Sequence, residues 1–127
     1  MQERKLMEMV EAAGTIAIAG HVRPDGDCVG SCLAVCNYIT EQYPEKTVDV
    51  YLETPPVKFS YLKQFERISS DSNTGKQYEL CICLDSGDRE RLGNNVVYLD
   101  TAKTSICIDH HITNKGYAAS NFVNASA

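Results

Sequence analysis

Hydrophobic positions recur along this chain in short bursts that switch between two periods. From Glu3 to Ala13 the apolar residues Leu6, Met9 and Val10 fall on one helical face, and the pattern stops at Gly14. "TIAIAG" (15–20) is then a short apolar run of strand length. Val29, Cys32, Leu33, Cys36 and Ile39 return to the 3.6-residue period and predict an amphipathic helix. That helix must finish before Pro44, because the residue preceding a proline avoids the helical region. "TVDVYLE" predicts the next strand, "TPPVKFSYLKQFE" a proline-marked turn and a short helix, and "SSDSNTGKQ" a loop. "YELCICL", "NVVYL" and "TSICI" supply three more strands, and "NFVNASA" closes the chain as an extended segment without a partner. Tyr38 and Phe59 sit in helix-like segments and read as core. Strands separated by helical segments predict an α/β fold around a parallel sheet.

Length and charge narrow this picture. A chain of 127 residues suits one domain with a real core. Twelve Lys and Arg against 17 Asp and Glu leave a net charge of -5, which speaks against a broad basic face for long nucleic acid. A small phosphorylated substrate gripped through metal ions is still allowed, since a bound dication inverts the local charge. "MQERKLMEMVEAAG" has no uninterrupted apolar core and reads as a helix rather than a signal peptide. No apolar run approaches membrane-spanning length, so a soluble protein is expected. The six cysteines include no C-x-x-C pair, and all lie in apolar contexts, as buried free thiols do. That pattern suits the cytoplasm; a structural zinc site is the less favoured reading.

Candidate chemistry gathers at three predicted strand ends. "TIAIAG" leads into "HVRPDGDCVGS" with His21, Asp25 and Asp27, "YELCICL" into Asp85, and "TSICI" into Asp109, His110 and His111. In open parallel sheets ligands bind beyond the carboxyl ends of the strands, so these groups converge on one edge. Imidazole together with carboxylate suits manganese, iron or zinc, whereas magnesium and calcium prefer oxygen alone. Asp25 and Asp27 would repel each other unless a cation stood between them. Two ions about 3.5–4 Å apart can clamp a phosphate and hold a shared hydroxide for in-line attack. Gly26 would allow the sharp turn between the two acids, and Gly30 would keep a side chain out of a crowded helix start. The amino terminus of that helix would further favour anions.

"HVRPDGDCVGS", "LDSGD" and "IDHH" resemble, in order and at familiar intervals, the first three motifs of the DHH phosphoesterase superfamily. "PDGD" followed by "GS", "DSGDRERLG" and "DHHITN" are most similar to its group of oligoribonucleases that also hydrolyse 3'-phosphoadenosine 5'-phosphate. The resemblance covers nearly the whole chain and implies a Rossmann-like parallel sheet with helices on both faces. It implies two Mn2+ ions, one bound by His21 and Asp25 and the other by Asp27 and His110, with Asp85 bridging both. Asp109 would orient a ligand beside the site, and His111 would face the substrate phosphate. Members of the family continue past "NFVNASA" to a further aspartate that completes the second metal site and to a substrate-gripping carboxyl-terminal domain. The expectation is therefore that residues 1–127 are the amino-terminal portion of a DHH domain, truncated at the carboxyl end, with the second metal bound more weakly. Family relatives often dimerise, so a homodimer is also among the expectations.

Taken singly, these residues have plainer readings. Asp27 could be an N-cap, His21 a loop histidine bonded to backbone, Asp85 the start of a turn through Ser86 and Gly87, and His110 with His111 a surface pair. Asp88 reads as a cap of the "RERL" turn, Arg23, Arg89 and Arg91 as solvated charge, and Ser31 as structural. Their joint occurrence at three strand ends is what favours a metal site. Three functions follow: a manganese-dependent phosphoesterase acting on short single-stranded oligonucleotides or nucleotide phosphates, a non-catalytic nucleotide-binding module, and a metal-free interaction domain. A family II-like inorganic pyrophosphatase is a further alternative, although its first motif usually carries "DTD" where this chain has "DGD".

Overall fold

The computed structural model describes residues 8–20, 26–53, 57–71, 74–84, 89–109 and 120–123, with backbone alone at 26, 27, 89–91, 108, 109 and 120–123. Helical residues 8–12 (α1) lead into β1 (Thr15–Ala19), α2 (Gly26–Gln42), β2 (Thr47–Tyr51) and β3 (Ile68–Ser69). Then follow β4 (Leu80–Leu84), α3 (Val96–Thr101), β5 (Thr104–Asp109) and β6 (Ser120–Val123). The six strands form one sheet in the order β3-β2-β1-β4-β5-β6, and every neighbouring pair is parallel. This is the doubly wound, Rossmann-like order, in which the chain runs outward from the centre on both sides.

Alternation along the central strands divides the interior into two layers. Ile16 and Ile18 of β1, Val48 and Val50 of β2 and Leu80, Ile82 and Leu84 of β4 face α1 and α2. Against them α2 sets Cys28, Val29, Cys32, Leu33, Cys36 and Ile39, the apolar stripe expected from the 3.6-residue period. The opposite face carries small strand residues, Ala17, Ala19, Cys81 and Cys83, which leave room for the rings of Tyr51, Tyr78 and Tyr98 and for Leu92 and Leu99. Tyr51 and Tyr98 stack with centroids 3.8 Å apart, and Tyr78 meets both edge-on. Helices therefore cover both faces. All six cysteines are buried free thiols, as expected. Burial raises the Cys36 thiol above its ordinary range, and the Cys81 contact followed by burial raises that of Cys83.

Five local expectations are corrected. "NVVYL" is not a strand but most of α3. Its β-branched composition suggested extended backbone, yet a parallel β4–β5 pair needs a crossover, and the helix buries Tyr98 and Leu99 while leaving Val97 largely outside. The helix expected after Pro55 and Pro56 is two short 3-10 turns, Val57–Phe59 and Phe65–Arg67. The described residues of "SSDSNTGKQ" are loop apart from Ser69, which pairs with Tyr51 as the end of β3. The described part of the closing segment is partnered, because Ser120–Val123 lie beside Ile106–Asp109 in parallel register. Phe59 packs partly buried against the α2-side core, whereas Tyr38 is 46% exposed on the outer side of α2.

Candidate functional site

The topology produces one crevice. β1 and β4 are hydrogen-bonded neighbours, but the chain leaves β1 for α2 on one face and leaves β4 for α3 on the other. Connections that diverge from adjacent parallel strands open a cleft outside their carboxyl ends, at the point where strand order reverses. Register aligns Ala19 with Cys83 and Cys83 with Cys107. In the sequence His21, Asp85 and Asp109 each stand two positions beyond that common row. With strands about 4.8 Å apart, β1 and β5 lie roughly 10 Å from each other across β4.

Of the anticipated site residues, Asp27 and Asp109 lie among the described ones. Asp109 is the last residue of β5, opposite Val123 of β6. Asp27 is the second residue of α2. In the first turn of a 17-residue helix, an acidic residue complements the partial positive charge of the amino terminus. His21, Asp25, Asp85, His110 and His111 lie outside the described residues, as do Arg23 and Asp88. The turn with Arg89 and Arg91 is the 3-10 segment Arg89–Asn95, which leads into α3. Among the described residues, a Cβ built at Gly30 meets nothing within 4 Å. The close approach is at Gly20 instead, a contact that sequence spacing had not revealed.

The described residues do not offer rival chemistry. None of their histidine, cysteine, aspartate and glutamate side chains form a group of three or more able to hold a metal ion. Cys36 and Cys83 are held in the protonated, poorly nucleophilic form. A cavity of about 270 Å³ lined by Met9, Ala12, Ala13, Glu79, Lys103 and Thr104 opens at the amino edge of the sheet, the pole opposite the crevice. Beyond the ends of β1, β4 and β5 the sequence continues into His21, Asp85 and His110.

Comparison with known proteins agrees with this geometry. The family model described as "DHH family, N-terminal domain" matches residues 15–127. A probable bifunctional oligoribonuclease and PAP phosphatase NrnA of Streptococcus mutans is 32% identical over 126 residues, covering 98% of this chain and 38% of that protein. The bifunctional oligoribonuclease and PAP phosphatase NrnA of Bacillus subtilis is 30% identical over 123 residues, covering 97% of this chain and 37% of its own length. The chain thus spans less than two fifths of these curated relatives. In fold it is similar to an exopolyphosphatase-related protein from Bacteroides fragilis, with a TM-score of 0.86 at 21% identity, over 98% of this chain and 39% of that one.

Proposed function

The chain belongs to the DHH family, and from that premise we propose that it forms the metal-bearing part of a phosphoesterase acting on short oligoribonucleotides or nucleotide phosphates such as 3'-phosphoadenosine 5'-phosphate. The observation that carries the proposal is the crevice between β1 and β4, beyond whose rim the sequence continues into His21 and Asp85. The substrate class is supported by relatives named as oligoribonucleases and PAP phosphatases.

In this reading His21 and Asp25 would hold one manganese ion and Asp27 and His110 the second, with Asp85 serving both. Bound there, the ions neutralise phosphate charge and lower the pKa of an attacking water. Asp109, at the end of β5, orients a ligand beside them, and His111 faces the substrate phosphate. The first turn of α2 keeps Asp27 at a helix end that favours the same anions. An acidic chain of net charge -5 draws a phosphorylated substrate in only where dications reverse its sign. The buried thiols suit a cytoplasmic setting. Among the described residues no helix is long and apolar enough to cross a membrane.

The test is isothermal titration of manganese into the chain and into Asp85→Ala. Two sites, or one tight and one weak, are expected, and both should be lost or badly weakened in the variant. Absence of binding to the folded, unsubstituted chain overturns the proposal. Release of phosphate from 3'-phosphoadenosine 5'-phosphate, or of mononucleotides from a short oligoribonucleotide, then identifies the substrate.

A further inference from the structure

Gly20 is the first residue after β1 and is buried between three elements. A Cβ built on it overlaps Cys28 Sγ of α2, stands 2.5 Å from Leu52 Cδ2 just after β2, and lies 3.2 Å from Cys32 Sγ one turn further along α2. The backbone of Gly20 is not in the left-handed region, so space and not conformation excludes a side chain. The neighbours have little freedom to withdraw: Cys28, Cys32 and Leu52 are each fully buried, and the Leu52 N–H is tied to the Ser69 carbonyl at 3.0 Å. Interiors packed at this density respond to an added methyl by moving an element. Non-bonded carbon contacts settle at about 3.5–4.0 Å, so the first turn of α2 would have to rise from the sheet by roughly 1 Å.

We infer that Gly20 is a positioning residue: its missing side chain seats the first turn of α2 on the end of β1 and thereby sets where Asp27 stands relative to the ends of β4 and β5. Three facts support this. Cys28, the residue that presses on Gly20, is the immediate neighbour of Asp27 in the same helical turn. Gly20 itself immediately precedes His21, so one contact fixes both ends of the loop that carries Asp25. The contact also lies at the switch point of strand order, where a shift of α2 alters the width of the crevice. The inference rests on the metal reading proposed above and goes beyond it by assigning the metal geometry to a residue with no donor atom.

The experiment measures manganese affinity by titration, and folding by circular dichroism and thermal melting, for the unsubstituted chain, Gly20→Ala, Cys28→Ala and Gly20→Ala with Cys28→Ala. Gly20→Ala is expected to keep a cooperative melt and to lose at least tenfold in manganese affinity. Removing the opposing sulfur should recover at least threefold of the lost affinity, the Leu52 contact remaining, with Cys28→Ala alone close to the unsubstituted chain. A structural role alone would lower the melting midpoint while leaving the affinity of the folded molecule unchanged. Unchanged affinity in Gly20→Ala, or a loss that Cys28→Ala fails to relieve, overturns the inference and leaves the metal reading standing. No binding by the unsubstituted chain overturns the metal reading and the inference with it. Should Gly20→Ala fail to fold, Gly20→Ser with Cys28→Ala takes its place. That variant returns one heavy atom to the relieved space and must still bind manganese more weakly than Gly20→Ala with Cys28→Ala.

Discussion

The Tyr78 hydroxyl donates to Asp49 Oδ2 at 2.5 Å and also meets the hydroxyl of Tyr51, while the Tyr98 hydroxyl donates to the Asp71 carbonyl at 2.7 Å. Three phenols thus bind the aromatic layer to β2 and to the segment between β3 and β4. Tyr78→Phe strands part of this network and is expected to cost about 1–2 kcal/mol in urea unfolding. Burial, followed by the hydrogen bond to Asp49, raises the Tyr78 phenol far above its ordinary value of 10.0, and burial also raises Tyr51. A raised phenol means that the folded state holds its proton more tightly than the unfolded state does. Its contribution is therefore complete below about pH 10 and is lost as pH climbs from there toward the folded value. Thermal melts between pH 8 and 11 should show this alkaline decline, and Tyr78→Phe should flatten it.

The elements are decided by what each one faces. β4 reads "LCICL", with every residue buried, because helices cover both sides of it. α2 can keep Cys28, Cys32 and Cys36 in one stripe because thiols are small enough to let it lie close on β1 and β2. α3 is the revealing case, since its helical state comes from the crossover and not from composition. Leu99→Ala should remove buried contacts and cost roughly 2–3 kcal/mol. Val97→Ala, at a position 38% exposed, should change stability by no more than about 0.5 kcal/mol, because alanine's helix propensity offsets the lost contact. Were 96–101 a strand, Val97 and Leu99 would share one face and the two substitutions would cost alike, so chemical denaturation of both variants tests the element's identity.

At the scale of the molecule, the parallel sheet concentrates chemistry on one edge and leaves the other to structure. At the amino edge Glu79 Oε1 accepts the Gly14 N–H at 2.8 Å, and Lys46 Nζ donates to the carbonyls of Glu11 and Ala13 at 3.0 and 2.6 Å. These contacts tie α1 to the sheet far from the crevice. A ligand that binds only the folded state stabilises it in proportion to its occupancy. Manganese at a hundredfold its Kd should therefore add about 2.7 kcal/mol, a rise of roughly 10 °C in Tm for a domain of this size. Asp85→Ala should abolish the rise. A metal-free interaction domain would show none in either protein, so a calorimetric scan with and without manganese separates the two readings.

Much of this architecture was legible without coordinates. β1, β2, β4, β5 and α2 follow from hydrophobic periods because burial on two faces or one imposes its own spacing on apolar residues, and three motifs at strand ends announced the family. What only the tertiary structure decided is where neighbours meet. Sequence period could not tell that Val96–Thr101 serve as a crossover helix, that Ser120–Val123 pair with β5, or that Tyr38 points outward, because each outcome depends on residues distant in the chain. The same holds for the glycines of the first loop. Spacing drew attention to Gly30, which meets nothing among the described residues, while a tight constraint falls on Gly20, where β1, α2 and Leu52 converge. Periodicity records which side of an element is buried; only three-dimensional packing determines how much room is left there.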